Sequence, residues 1–388
     1  MIAIKNATLV MRDHLIPEAV LFIEGDKIAG FGEMRSTPIP EGCEVIDAEN
    51  QFVGPGLVDI HNHAGNGVRF EHDPILAAQM HLPYGTTSIL ATVGGRLTGP
   101  QMVKALGDIR EAMQRPEGAN IAGVYMEGPY MNPNYGSLSH LNPWRGPIVA
   151  EDYDPIIAAG ADIIHVWMVG PERENIEAFV KAAKKANPDV KFAVGHSEAS
   201  PQQIEKLVPY GLCIGTHHTN ATGDLPKYPE CRGVCVDETV NYNNAIYAEL
   251  ISDQWGIHVD PYMQRRIRKI KVDKIILITD HTAYKMDDEQ VESLPEEYRH
   301  ITDLNFTPMA SGGIDISGSK LTLNKACYNF MKHTGASIVD AFRAASYTPA
   351  QVVGLTDRGE IREGLRADLI ITDYNMNVKT VILAGKVC

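Results

Sequence analysis

Eight short apolar runs, each ending in polar or glycine-rich residues, recur through the middle of this chain and narrow the folds open to it. They fall at residues 57–60, 87–91, 121–126, 163–168, 190–194, 212–215, 248–252 and 274–278, and helix-like stretches such as 174–186 and 202–208 separate most of them. Strands alternating with helices build a parallel sheet covered by helices. Eight such units in about 300 residues predict an α/β fold, a (β/α)8 TIM-type barrel. A doubly wound open sheet is the alternative, but no Gly-x-Gly-x-x-Gly fingerprint follows the first run. The seventh run is the least clear of the eight.

The two ends have a different character. Ala19-Val20-Leu21-Phe22-Ile23, the turn Glu24-Gly25-Asp26 and Lys27-Ile28-Ala29-Gly30-Phe31 read as a hairpin. Ala367-Asp368-Leu369-Ile370-Ile371 and the run from Thr380 to Val387 are also strand-like. Both termini are therefore expected to join in a small β-sandwich, giving three segments: 1–53 and 356–388 for the sandwich, and 54–355 for the barrel.

Composition limits the partners. A formal net charge of −14 argues against nucleic acid and against an anionic membrane surface, which both call for a basic footprint. The first ten residues alternate like a strand and lack the basic and apolar regions of a signal peptide. No apolar run approaches the roughly 20 residues of a spanning helix. Cys43, Cys213, Cys231, Cys235, Cys327 and Cys388 are scattered, as expected of free thiols in a reducing cytoplasm. Only Cys231 and Cys235 are close, and no second pair completes a zinc knuckle.

In such a barrel the chemistry sits at the carboxyl ends of the strands. There the metal-capable residues collect: His61 and His63 after run one, Glu127 after run three, His196 after run five, His217 and His218 after run six, and Asp280 after run eight. Histidines two apart on a strand point to one face, a ready half-site for a divalent metal. A lone histidine is usually an ordinary polar residue, and an Asp at a strand end is usually a turn residue. So many at matching ends point instead to metal-assisted hydrolysis. The ion lowers the pKa of water and polarises a carbonyl, and Asp280, alone at the last strand, suits proton transfer.

These residues resemble the amidohydrolase superfamily, most closely the N-acetylglucosamine-6-phosphate deacetylase family. The carriers are Pro55-Gly56-Leu57-Val58-Asp59-Ile60-His61-Asn62-His63, Glu127-Gly128-Pro129-Tyr130, Gly195-His196-Ser197-Glu198-Ala199 and Thr216-His217-His218-Thr219-Asn220-Ala221. Gly256-Ile257-His258-Val259, Ile278-Thr279-Asp280 and Ser317-Gly318-Ser319-Lys320 add to them. The resemblance implies one metal on Glu127, His196 and His217, and a second position at His61 and His63. Zinc comes first, with iron or manganese also suited. It further implies Asp280 as catalytic acid/base, His258 as polariser of the substrate carbonyl, and His140 on the sugar. Asn220 and the backbone of Ala221 would hold the phosphate. The implied reaction is deacetylation of an N-acetyl amino sugar, with N-acetylglucosamine 6-phosphate foremost, by a homodimer.

The chain departs from the family in places. Gly136-Ser137-Leu138-Ser139-His140 stands where Lys-Lys-Gly-Ala-His is usual. The usual phosphate arginine has as its nearest counterparts Lys227 and, beyond it, Arg232, and a lysine is a point charge where arginine is a fork. His218, His281 and Gln254-Trp255 are also unusual. The changes admit other substrates: a non-phosphorylated or different N-acetylhexosamine, an N-acyl amino acid or a cyclic amide. Many cyclic-amide members carry a carbamylated lysine at the fourth strand, and here Trp167-Met168-Val169-Gly170 has none. A non-catalytic sugar-phosphate sensor would have lost a ligand or the acid/base, and neither is missing. The acidic stretch 286–297 is expected to be a solvated loop rather than a lid.

Overall fold

The computed structural model describes residues 1–136, 139–223, 228–231, 233–284, 287–308 and 314–388. The amino-terminal strands are β1 (Ile2–Val10), β2 (Leu15–Glu24), β3 (Lys27–Glu33), β4 (Glu44–Asp47) and β5 (Phe52–Pro55). The barrel follows as β6 (Leu57–Asn62), β7 (Thr86–Gly94), β8 (Ile121–Glu127), β9 (Ile164–Val169), β10 (Lys191–Val194), β11 (Leu212–Gly215), β12 (Tyr247–Ile251) and β13 (Ile275–Ile278). A hairpin of β14 (Leu304–Pro308) and β15 (Ile314–Ser319) comes next, and the chain ends with β16 (Leu369–Thr372), β17 (Val378–Leu383) and β18 (Lys386–Val387).

Strands β6 to β13 pair in chain order, every neighbour parallel. Each of the eight apolar runs is one of these strands to within a few residues, the seventh included. Their near-continuous burial reflects a sheet covered on both faces. The ring is joined at its mouth by two backbone bonds: the Asp280 amide donates to the His61 carbonyl at 2.9 Å, and the His63 amide to the His281 carbonyl at 2.8 Å. Strand eight thus meets strand one at the residues whose side chains carry the candidate chemistry.

The terminal strands form one mixed sheet, ordered β18-β17-β16-β5-β1-β2-β3, with β4 also on β1. Period-two alternation sets its faces: Leu21 and Ile23 of β2 and Leu369 and Ile371 of β16 enter a core of their own. Ile370 and Val381 point the other way, into the barrel's core. The sheet is therefore packed onto the barrel through β16 and β17.

The acidic stretch is not a plain loop. Asp288–Ser293 and Glu296–Arg299 are short helices; residues 285 and 286 lie outside the described set. Leu294 joins Ile301, Leu304 and Phe306 in a small cluster against which Val291 and Tyr298 pack. The missed signal is the helical spacing of Val291, Leu294 and Tyr298 among the acids. Among the described residues no helix is long and apolar enough to cross a membrane.

Candidate active site

The barrel's carboxyl end opens into a cavity of ≈ 540 Å³ whose walls include His63, Glu127, His196, His217, His258 and Asp280. Glu127 is the hub. Its Oε2 lies 3.1 Å from His63 Nε2, and its Oε1 lies 3.0 Å from His196 Nε2, 3.5 Å from His217 Nε2 and 3.6 Å from His61 Nε2. Two groups able to hold a metal share it: His61, His63 and Glu127 on one side, and Glu127, His196 and His217 on the other.

The donor set fits a divalent ion. His196 Nε2 and His217 Nε2 face each other at 3.1 Å, close to the roughly 3.3 Å expected of two nitrogens on one tetrahedral ion. His61 Nε2 is buried without a hydrogen-bond partner. The field also favours positive charge. Burial works against ionisation of Glu127, yet the His63 charge and hydrogen bonds from His196, His217 and His61 hold its carboxyl well below the usual range. Burial likewise opposes charge on His61, but Glu127, Glu249 and Asp280 raise its pKa well above the ordinary value. His196 goes the other way, lowered by burial and by His217. A cation satisfies all of these groups at once.

The local backbone is strained where it presents them. His196, His217 and Asp280 have φ of 45°, 28° and 45°, left-handed conformations that cost of order 1–3 kcal/mol each and gather at functional sites. Over Asp280 runs the end of β15, where the Ser319 amide donates to the Asp280 carbonyl at 2.9 Å. Gly318, at φ +61°, permits that approach: a Cβ there would come 2.5 Å from the same carbonyl oxygen. Asp280 Oδ1 is thereby placed 3.5 Å from His63 Nε2 and 3.8 Å from His61 Nε2.

His258 is held by one carboxylate. Asp253 accepts the amides of Trp255, Ile257 and His258 at 3.1, 2.9 and 2.9 Å, and His258 Nδ1 lies 3.4 Å from its Oδ2. Burial would raise the Asp253 pKa, but these bonds, the one from His258 foremost, bring it below the ordinary value. Asn220 ties the same loop, donating through Nδ2 to the His258 carbonyl at 2.7 Å, with its Oδ1 buried and unpartnered.

Of the residues singled out from sequence, the structure gathers His61, His63, Glu127, His196, His217, Asp280, His258, Asn220 and Ala221 at this mouth. His140 is exposed on the turn Ser139–Leu141, of which Ser139 lines the cavity. Lys227 and Arg232 lie outside the described residues. His218 faces Asp237, 3.8 Å away. His281 Nδ1 lies 3.0 Å from the Leu321 carbonyl oxygen, and its ring meets His81 edge-on; burial lowers its pKa to about 4.

Several participants escaped the sequence reading. Glu249 on β12 is fully buried, its Oε2 3.1 Å from His61 Nδ1 and accepting the His217 amide at 3.0 Å. A carboxylate behind a ligating imidazole fixes its tautomer and orientation. Tyr125 stacks on His61 with ring centroids 4.6 Å apart. Asp59, Asn62 and Thr279, present in the sequence motifs but given no role there, form a buried network beneath the residues able to hold metal. The available signal was a charge inside an apolar run, as at Glu249 and Asp59. Arg69 and Arg96 also line the cavity, from the segments after β6 and β7.

The model of the Amidohydrolase family matches residues 261–388. An N-acetylglucosamine-6-phosphate deacetylase of Danio rerio is 26% identical over 390 residues, spanning 96% of this chain and 89% of its own length. An N-acetylgalactosamine-6-phosphate deacetylase of Escherichia coli O157:H7 is 28% identical over 356 residues, covering 90% of each chain. The crystal structure of N-acetylglucosamine-6-phosphate deacetylase from Pasteurella Multocida superposes with a TM-score of 0.83 at 22% identity, covering 100% of this chain and 99% of that one.

Proposed function

We propose that this chain is an amidohydrolase, as the family model over residues 261–388 and the deacetylase relatives support, and that it deacetylates an N-acetylhexosamine 6-phosphate, releasing acetate and the amino sugar. The gathering of five side chains able to hold metal, four of them lining one cavity with the carboxylate of Asp280, carries the reading. The names of the relatives support the substrate class and leave the hexose open, glucosamine and galactosamine both being represented.

Glu127, His196 and His217 would hold the principal metal, with His61 and His63 able to hold a second through the shared Glu127. A divalent ion there, whether zinc, iron or manganese, supplies acidified water and a polarised carbonyl. Asp280 accepts the proton of the attacking water through Oδ1 and later gives it to the departing amine. His258, braced by Asp253 and Asn220, holds the carbonyl oxygen as it gains negative charge. Glu249 keeps His61 and the His217 backbone in place. The C–N bond breaks as the amine takes its proton, and acetate leaves with the oxygen of water.

The test is acetate release by metal-loaded enzyme from N-acetylglucosamine, N-acetylgalactosamine and N-acetylmannosamine, each free and as its 6-phosphate. Turnover of a 6-phosphate, abolished by Asp280→Asn at unchanged metal content, is expected. Silence on all six would overturn the amino-sugar reading, and an active Asp280→Asn enzyme would remove Asp280 from the proton-transfer role.

A further inference from the structure

The described wall of the cavity carries two arginines, Arg69 and Arg96, and no mechanistic step above uses either. Arg69 is engaged by Glu71, with Nη1 3.8 Å from Oε1. Arg96 is different. Among the described residues its guanidinium makes neither a hydrogen bond nor an ion pair, and the residue is exposed on the cavity wall. Surrounding protein and the repulsion of Arg69 lower its pKa below the ordinary arginine value against the attraction of Glu127 and Glu71, but a guanidinium stays charged throughout. A fork of five N–H donors facing a cavity, with no carboxylate in hydrogen-bond reach, is open to a planar or tetrahedral anion.

Its place in the ring is specific. Arg96 follows β7 by two residues, and a Cβ on Gly94 would stand 3.8 Å from His63 Cε1, so the turn bearing Arg96 abuts the metal end of the cavity. In the eight-strand order, β7 and β11 are four strands apart. Arg96 therefore faces the mouth from the side opposite Asn220 and Ala221, which follow β11. The acidic groups on the lining are Glu71, Glu127, Asp280 and Asp315. Glu71 is taken by Arg69, while Glu127 and Asp280 stand among the ligating imidazoles.

Resting on the deacylase reading, we propose that Arg96, with Arg69 beside it, binds an anionic group of the N-acylated substrate at the loops after β6 and β7. The shared chemistry is a cluster of anionic oxygens, from a phosphate ester or from a carboxylate. It makes Arg96 a specificity-determining residue on the wall across from the phosphate position that the family resemblance implies.

The experiment compares Arg96→Gln and the Arg69→Gln/Arg96→Gln pair with the unaltered holoenzyme, with the exposed Arg35→Gln as a charge-loss control. Substrates are the N-acetylhexosamine 6-phosphates, the carboxylate-bearing N-acetylmuramate, and the neutral N-acetylhexosamines. The ratio of kcat/KM for the favoured anionic substrate to that for its neutral counterpart should fall about 10-fold or more in Arg96→Gln, through KM, the scale of a lost charged hydrogen bond. Arg35→Gln should leave that ratio where it was. Whichever class shows the loss, phosphate or carboxylate, identifies the anion. Thermal stabilisation of the metal-loaded proteins by inorganic phosphate is read in parallel and does not depend on turnover. It should be weaker in Arg96→Gln than in the unaltered enzyme. Silence towards every substrate would sink the deacylase reading while the phosphate measurement still decides the anion site. An unchanged substrate ratio, or equal stabilisation by phosphate in both proteins, would overturn the role of Arg96.

Discussion

Glu249 shows what a single side chain does in this site without touching the cavity. It is fully buried, and its carboxylate meets His61 Nδ1 and the His217 amide together, so it orients a residue from each of the two groups able to hold metal. Replacing it with Gln keeps the volume and removes the charge. Metal affinity should fall about 10- to 100-fold, as for other carboxylates behind ligating histidines, measured by competition with a chromophoric chelator. An affinity equal to that of the unaltered protein would relieve Glu249 of this role. The histidines, Glu127 and Asp280 could be read from sequence because strand-end position and metal chemistry coincide in them. Glu249 was harder to read, because a charge in the middle of an apolar run signals a buried partner without saying which residue that partner is.

At the scale of elements, the seam between β6 and β13 governs the site. Thr279 Oγ1 donates to Asp59 Oδ2 at 2.6 Å and accepts from Asn62 Nδ2 at 2.9 Å, while Asn62 Nδ2 also reaches Asp59 Oδ2 at 3.0 Å. The network is buried and sits one residue from His61, His63 and Asp280. Thr279→Val preserves shape and deletes these two hydroxyl bonds together with the one that Oγ1 accepts from the His281 amide at 3.2 Å, leaving Asp59 short of a donor. A loss of about 2 kcal/mol or more is expected from a hydrogen bond to a charged, buried group, read as a lower urea midpoint at constant slope. An unchanged midpoint would show that the seam closes on backbone bonds alone. All eight barrel strands were legible beforehand from their apolar runs. The helices at 288–293 and 296–299 were not, because their apolar stripe is thin and set among acids.

For the whole molecule, the union of terminal sheet and barrel is a packing problem solved at few points. β5 leads into β6 through Gly56, and β16 is buried on both faces, Leu369 and Ile371 to its own core and Ile370 to the barrel's. Gly54 lies under Phe342, and a Cβ there would come 2.3 to 2.8 Å from three atoms of that buried ring. Gly54→Ala should destabilise by about 1–3 kcal/mol through overpacking, seen as a lower Tm in thermal denaturation. An unaltered Tm would mean that Phe342 gives way freely and the joint is loose.

By itself the sequence determined the α/β class, the count and order of the barrel strands, the pairing of both termini, and the histidines and carboxylates at the strand ends that could hold metal. Each of these rests on local signals, such as apolar periodicity and the position of a histidine or carboxylate relative to its own strand. Tertiary structure alone decided what depends on long-range approach. Glu249 stands behind His61 from 188 residues away in the chain. Asp253 shapes the loop that presents His258, and Arg69 and Arg96 share a wall whose facing side follows β11. The closing of the ring sets these relations, since it brings strand one against strand eight and turns eight separate strand ends into one electrostatic environment.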